Sequence, residues 1–278
     1  MSTAADAATT PAAANDEPLV LREDDDGVTI LTLNRPRALN ALSLPLLHAL
    51  REALDDIRED KSVRAVILRG AGRGFCAGHD LKEITSHRDD PDGGRAFFET
   101  LFASCTDTMM AIRNLPVVVI AEVQGIATAA GCQLLSTCDM AVASTESKFG
   151  VNGVDAGLFC STPMVALSRN VPRKVAMQML TLGHMIGPDD ARTYGLVNEV
   201  VAPDELADTA MAMARRAAQK SRAVVALGKE AFYRQVELGV EDAYSLMGRV
   251  IVDNLMMRDA EIGIACFIGK EKPEWEDR

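Results

Sequence analysis

The sequence predicts an α/β fold assembled from strand–strand–helix units and completed by a helical C-terminal region. Three observations predict it. Short apolar, β-rich runs at 63–69, 117–121 and 139–144 are too short for helices and suit strands buried on both faces. Segments of helical period separate these runs. From Pro203 onward the pattern is helical throughout.

Composition sets the limits. With 278 residues, 48% hydrophobic and 25% charged, the chain resembles an ordinary soluble globular protein with room for one sizeable core. No apolar run approaches the roughly 20 residues that span a bilayer, so no membrane partner is expected. A net charge of −11 argues against broad attraction to nucleic acid, while leaving room for an anionic small molecule held by a few local cations. Cys76, Cys105, Cys132, Cys138, Cys160 and Cys266 form no C-x-x-C pair. With no signal peptide, they read as reduced thiols of a cytoplasmic protein, and no metal site is expected.

Residues 1–17, mostly Ala, Thr and Asp, cannot bury enough surface to offset their ordering entropy and read as a disordered tail. They contain no Arg and make a poor transit peptide. A core over 18–202 and a helical region over 203–278 complete the expected organisation. Runs 19–23 and 28–34 flank the acidic, Gly-bearing turn 24–27 and form a hairpin. Ser43 is a candidate N-cap, with Pro45 in the first turn of a helix to about residue 58. Leu46, Leu47, Leu50, Leu54 and Ile57 share one face of that helix. After strand 63–69 comes G-A-G-R-G-F-C-A-G-H-D-L-K-E (70–83). A dinucleotide-binding G-x-G-x-x-G is excluded, because position 75 is Phe75 rather than glycine. What survives is a turn that opens the backbone at Gly78-His79 to a ligand, with Asp80 fixing the loop through backbone hydrogen bonds. Residues 86–94 read as a mobile loop near the mouth, and 96–114 as a long helix leading into strand 117–121.

Gly125 ends that strand, and every residue from 127 to 132 is small. At a strand-to-helix junction, small residues let a ligand approach the backbone and leave the first helical N–H groups free. Such a start favours negative charge, so an anion is expected near Ala130 and Gly131. After strand 139–144, helices are expected at 162–170, 174–182 and 188–194, then a strand at 196–200. Further helices follow at 204–220, 222–237, 241–254 and 259–269. Leu206, Ala210, Met213 and Ala217 give the first of these four an apolar face.

Five stretches, in this order, carry a family resemblance: N-R-P-R-A-L-N-A-L, F-C-A-G-H-D-L-K-E, G-I-A-T-A-A-G-C-Q-L, C-D-M-A-V-A-S and G-P-D-D-A-R-T-Y-G-L-V-N-E-V-V. From about Leu19 to the C-terminus the chain resembles the crotonase, or enoyl-CoA hydratase/isomerase, superfamily. G-L-F-C-S-T-P, V-P-R-K-V-A and V-D-N-L narrow the resemblance to one of its subgroups. The resemblance implies a spiral of ββα turns whose C-terminal helices build a homotrimer or hexamer. It implies a fatty acyl-CoA substrate, with coenzyme A arriving as part of that substrate and no separate cofactor.

The resemblance also implies a chemistry, in which an enolate-like thioester oxygen is held by two main-chain N–H groups. By position these belong to His79 and Ala130, the latter usually Gly in the family. The His79 side chain reads as a polar neighbour rather than a base. The two glutamates that hydratases use correspond to Gln133 and Gly153, neither of which can transfer a proton. Asp155 and Cys160 are the candidate substitutes, and Asn152 is a candidate to hold a water or the acyl carbonyl. Arg35, Arg37, Ala38 and Leu39, with Ala77, Gly78, Asp80, Leu81 and Lys82, would flank adenine and pantetheine, and Gly131 and Gly153 would border the ligand. Lys229, Phe267 and Lys270 would reach phosphates, often those of a neighbouring subunit. The expected function is an acyl-CoA enzyme nominally of the hydratase/isomerase type. The alternatives are an isomerase or hydrolase using Asp155 or Cys160, or a catalytically silent acyl-CoA-binding protein.

Overall fold

The chain enters its fold through a tight hairpin. Strands β1 (Val20–Asp25) and β2 (Val28–Leu33) pair antiparallel across Asp26 and Gly27, whose φ values of 44° and 81° define a two-residue turn. Asp-Gly suits left-handed backbone at both positions, so the expected four-residue turn closes to two. The computed structural model describes residues 17–278. The tail expected over 1–17 lies, but for Glu17, outside them.

Helix α1 (Leu44–Glu59) is capped by Ser43 Oγ, which accepts the Leu46 N–H. All five predicted apolar residues are at most 1% exposed. Each such side chain stabilises the fold by about 1.5–3 kcal/mol relative to exposure. Next come β3 (Ala65–Gly70), the short α2 (Leu81–Ser86) that the sequence reading missed, and α3 (Arg95–Arg113). Between α2 and α3, the His87 ring stacks on Phe97 at 3.6 Å, and the Asp92 carboxylate accepts the Gly94 and Ala96 N–H groups. Strand β4 (Val118–Val123) leads to β5 (Ile126–Thr128), α4 (Ala130–Thr137), β6 (Met140–Ser144) and β7 (Lys148–Gly150). Helices α5 (Pro163–Leu167), α6 (Arg173–Leu182) and α7 (Pro188–Thr193) precede β8 (Glu199–Val201). The chain ends with α8 (Leu206–Ala218), α9 (Arg222–Gln235), α10 (Val240–Leu255) and α11 (Arg258–Gly269).

The main sheet runs β1-β2-β3-β4-β6-β8, parallel from β2 onward. A second, inner set of short pairings runs beside it. Leu42 bridges His79, Cys76 bridges Ala127, β5 pairs with β7, and Phe149 bridges Ile186. Successive turns of the chain thus add one strand to the outer sheet and one short segment to the inner set, which is the ββα spiral.

From β2 to β6 both faces of the outer sheet are covered. Leu31, Val66, Leu68, Val119 and Ala121 pack with α1 and α3, while Val28, Ile30, Ala65, Ile67 and Ile120 pack beneath α8. The buried row of α8 is Leu206, Ala210, Ala214 and Ala218, at strict i+4 spacing; Met213 and Ala217 stand beside it, half-buried. Helix α8 therefore belongs with the core, although it follows residue 203. By contrast α10 buries no residue, and Val240, Tyr244, Met256, Phe267 and Ile268 on α10, α11 and their flanks are 70–86% exposed. Among the described residues no helix is long and apolar enough to cross a membrane.

Candidate active site

The inner pairings bring two main-chain amides, those of His79 and Ala130, close together at Gly78. Leu42 N–H donates to Gly78 O and Asp80 N–H donates to Leu42 O, at 2.7 and 3.1 Å. In a parallel bridge this leaves the intervening His79 N–H directed away from its partner. It has no acceptor among the described residues. Ala130 opens α4, and a first helical residue has no intrahelical acceptor for its N–H. Gly78 joins the two stretches: at φ 92°, a Cβ there would stand 3.2 Å from Ala130 N, 3.0 Å from Thr128 O and 2.9 Å from Ala129 Cβ. Only a residue without a side chain permits this approach.

The left-handed backbone at this junction falls on Ala129, with φ 49° and ψ −118°, and not on Ala130. A non-glycine residue in such a region costs about 1–3 kcal/mol and persists where its surroundings hold it. Here Ala129 N–H donates to Gly150 O, and Ala129 O accepts the Gln133 N–H. Gly131, expected to border the ligand, instead closes the packing behind α4. Any Cβ there would collide with the Cys76 carbonyl.

Beside the amides lies a cavity of about 470 Å³, with Ala77, His79, Ala130, Asn152 and Gly153 in its wall. Phe102, Leu158 and Phe159 make much of it apolar, and among the described residues no Asp, Glu, Lys or Arg lines it. The His79 ring meets Phe102 edge-on, with centroids 4.8 Å apart. Its Nε2 is buried without a hydrogen-bond partner among the described residues, as is Thr162 Oγ1. Burial pushes the imidazole pKa down to about 4, so the ring is neutral near pH 7.

Several expected site residues lie elsewhere. Gln133, one turn into α4, is buried with an unpartnered Oε1 but stands outside the cavity wall. Asp155 is exposed and turned from the cavity: a Cβ on Gly183, beyond the end of α6, would be 2.7 Å from both its carboxylate oxygens. As a substitute acid or base it is therefore misplaced. Cys160 does line the cavity, yet burial pushes its thiol pKa up, against a hydrogen bond from the Gly153 backbone. A thiol held protonated is a poor nucleophile.

Lys229, expected at a CoA phosphate, is wholly committed inside the fold. Its Nζ donates to Asp139 Oδ2 at 2.7 Å, Val117 O at 2.9 Å and Ile112 O at 3.1 Å. With 7% of the side chain exposed, it cannot reach a ligand at the surface. The loop expected around adenine and pantetheine does come together. Leu39 O accepts the Ala77 N–H, and Arg35 pairs with Asp80 at 2.8 Å. Asp80 caps α2 by accepting the Lys82 and Glu83 N–H groups. Burial alone would raise its carboxyl pKa, but the bond from Arg35 and these N–H groups hold it below the usual range. Arg37 and Lys82 are exposed nearby, Ala38 completes the 3-10 turn Pro36–Ala38, and Leu81 reaches the cavity. Phe267 and Lys270 are exposed on or just past α11, outside the cavity wall.

Phe102, Ile84 and Thr162 line the cavity without having been singled out in the sequence. Phe102 lies on the long helix α3, and no local motif marks it. Among the described residues no group of three or more His, Cys, Asp or Glu is placed to hold a metal ion.

The enoyl-CoA hydratase/isomerase family model matches residues 23–278. A Rattus norvegicus protein named enoyl-CoA hydratase domain-containing protein 3, mitochondrial, is 44% identical over 266 residues, covering 95% of this chain and 87% of that protein. The Homo sapiens protein of that name is 45% identical over 250 residues, covering 90% and 81%. This is the subgroup that the stretches around Phe159, Val171 and Val252 resemble. Among solved structures, human enoyl Coenzyme A hydratase domain-containing protein 3 superposes with a TM-score of 0.88 at 43% identity, covering 92% of this chain and 100% of that one. An enoyl-CoA hydratase of Mycobacterium smegmatis gives 0.89 at 53% identity, covering 93% and 99%. The mitochondrial names of the rat and human relatives overturn the cytoplasmic expectation. Reduced cysteines do not choose among reducing compartments.

Proposed function

This chain belongs to the enoyl-CoA hydratase/isomerase family, and from that premise we propose that it binds fatty acyl-CoA thioesters and polarises their carbonyl with the His79 and Ala130 N–H groups. The observation that carries this reading is the pair of acceptor-free amides brought together at Gly78, beside a largely apolar cavity. Preorganised donors aimed at a developing oxyanion contribute about 3–4 kcal/mol each in comparable enzymes. The helix that begins at Ala130 adds its dipole in the same sense. Pantetheine would lie along Ala77 and Leu81, with Arg37 and Lys82 near the nucleotide end. In a homotrimer or hexamer, which the exposed apolar residues of α10 and α11 support, Phe267 and Lys270 of a neighbouring copy would complete that end.

The chemistry proposed is enolisation at C2, as in double-bond isomerisation, rather than hydration. Hydration through two carboxylates has no support in a cavity wall that, among the described residues, holds no Asp or Glu. Loss of each general acid–base group typically costs 10²–10⁴-fold. That same wall favours, as a second reading, an acyl-CoA-binding protein without turnover. Calorimetric titration with octanoyl-CoA and free CoA, beside turnover assays with crotonyl-CoA and a 3-enoyl-CoA, tests both. Micromolar octanoyl-CoA binding with 3-enoyl isomerisation and negligible hydration supports the first, and binding alone supports the second. Acyl-CoA binding no tighter than free CoA and unaffected by Gly78→Ala would sink both.

A further inference from the structure

Resting on that reading, we infer that Leu158 and Phe159 are specificity-determining residues of this site: they wall the path of the acyl chain beyond the thioester, so that affinity is set by the length of an uncharged alkyl chain. The loop that carries them owes its place to Gly153. The turn Asn152–Ala156 ends at Gly157, whose φ of 73° reverses the chain and brings residues 158–160 back over it. Leu158 N–H then donates to Gly153 O at 2.9 Å, and the Leu158 carbonyl and Cys160 Sγ stand where a side chain on Gly153 would begin. The space that a side chain at 153 would take is given to a loop.

What that loop offers the cavity is apolar. Its backbone groups are spent within the segment: Ser161 N–H donates to Phe159 O and Met164 N–H to Cys160 O, at 2.7 and 3.0 Å. Leu158 and Phe159 line the cavity yet remain 45% and 48% exposed. Phe102, 38% exposed, lines it from α3. Single exposed apolar side chains need no explanation, but three that converge on one concave wall mark a site for an apolar ligand.

This surface starts beside the amide pair. His79 supplies one donor and holds its ring against Phe102, while Gly153 lies in the same wall as Ala130. With pantetheine along Ala77 and Leu81, the wall of Phe102, Leu158 and Phe159 is left to the acyl chain. Among the described residues no charged side chain lines it, so nothing there offsets the desolvation of a charge carried on the chain.

Each methylene taken from water onto such a wall should tighten binding by up to about fourfold. The experiment titrates the full chain calorimetrically with free CoA and with acetyl-, butyryl- and octanoyl-CoA. Wild type should bind octanoyl-CoA at least about 100-fold more tightly than acetyl-CoA. Leu158→Ser/Phe159→Ser should lower that ratio at least tenfold, whereas Phe159→Leu, which stays apolar, should keep it within about threefold. Val165→Ser, a change of the same kind at an exposed residue of α5 outside the cavity wall, should leave the ratio unchanged. If the double variant fails to fold, as thermal melting would show, Phe159→Ser against Phe159→Leu carries the same test. Acetyl- and octanoyl-CoA bound equally well, both more tightly than free CoA, would overturn the role of the loop while leaving the amide pair standing. A wild-type ratio in the serine variants, or an equal loss in Val165→Ser, would do the same. Wild type that binds no acyl-CoA more tightly than free CoA overturns the underlying reading as well.

Discussion

Gly153 and Cys160 leave no room for a side chain between them: a Cβ on Gly153 would lie 2.8 Å from Cys160 Sγ and 2.7 Å from Leu158 O. The position to which the family resemblance assigns a second glutamate is thus filled by a neighbouring loop, so the packing itself excludes a side chain there. Gly153→Glu should therefore destabilise the protein by about 1–3 kcal/mol, the usual cost of forcing atoms into a packed site. Gln133→Glu/Gly153→Glu should gain no crotonyl-CoA hydration. Adding Cys160→Ala should recover only part of the stability, because the Leu158 carbonyl is backbone and stays. Denaturant midpoints and a crotonyl-CoA assay check both statements.

Gly78 is the hinge of the amide pair. Gly78→Ala demands a side chain at φ 92° and within 2.9 Å of Ala129 Cβ, so the segment must shift away from α4. Separating two donors worth about 3–4 kcal/mol each should lower turnover by at least 10²-fold. The fold, anchored on the outer sheet, should survive. Circular dichroism and thermal melting, set beside turnover of a 3-enoyl-CoA, separate loss of function from loss of structure.

Where the sequence was legible, a single local pattern decided the outcome. The apolar face of α1, the Ser43 cap and the strands at 65–70, 118–123 and 140–144 follow from period and capping alone. The glycine-marked stretch at 77–79 and the small residues at 127–132 pointed to the two amides, because close approach leaves its mark in residue size. The rest depends on contacts between distant segments. Nothing near Asp155 reveals that it turns toward Gly183, and nothing near Lys229 reveals Asp139 ninety residues away. The neutral wall around His79 is a property of several loops together. The small α2 was missed because a six-residue helix held by the Asp80 cap has too little period to register.

Lys229 tests the difference between a surface cation and an internal one. It neutralises Asp139, whose other oxygen accepts the Tyr233 hydroxyl at 2.9 Å and whose Oδ2 also accepts the Val119 N–H. Burial lowers the ammonium pKa, with the Asp139 charge opposing that shift. Lys229→Met removes one partner of a buried pair and should cost about 3–5 kcal/mol by leaving the carboxylate uncompensated. Lys229→Met/Asp139→Asn should cost less than that single change, since no lone charge remains. Under native conditions neither variant should alter the dissociation constant for CoA. A change of tenfold or more in that constant would return Lys229 to the ligand site.

His79 makes stability depend on pH with a definite sign. Its pKa falls from about 6.5 in the unfolded chain to about 4 in the fold, because desolvation disfavours the charged ring. Between these values the unfolded chain binds the proton and the folded one does not, so stability falls as pH drops through this window. A shift of this size corresponds to on the order of 3 kcal/mol, fully lost below about pH 4 and fully present above about pH 6.5. Burial also raises the Glu122 carboxyl above its ordinary pKa, so the measurement is a difference. The stability of wild type minus that of His79→Gln, from denaturant curves at pH 4 to 7.5, should decrease steadily toward acid. A flat difference across that range would mean that the ring titrates as freely in the fold as in water, and that the cavity around it is wet.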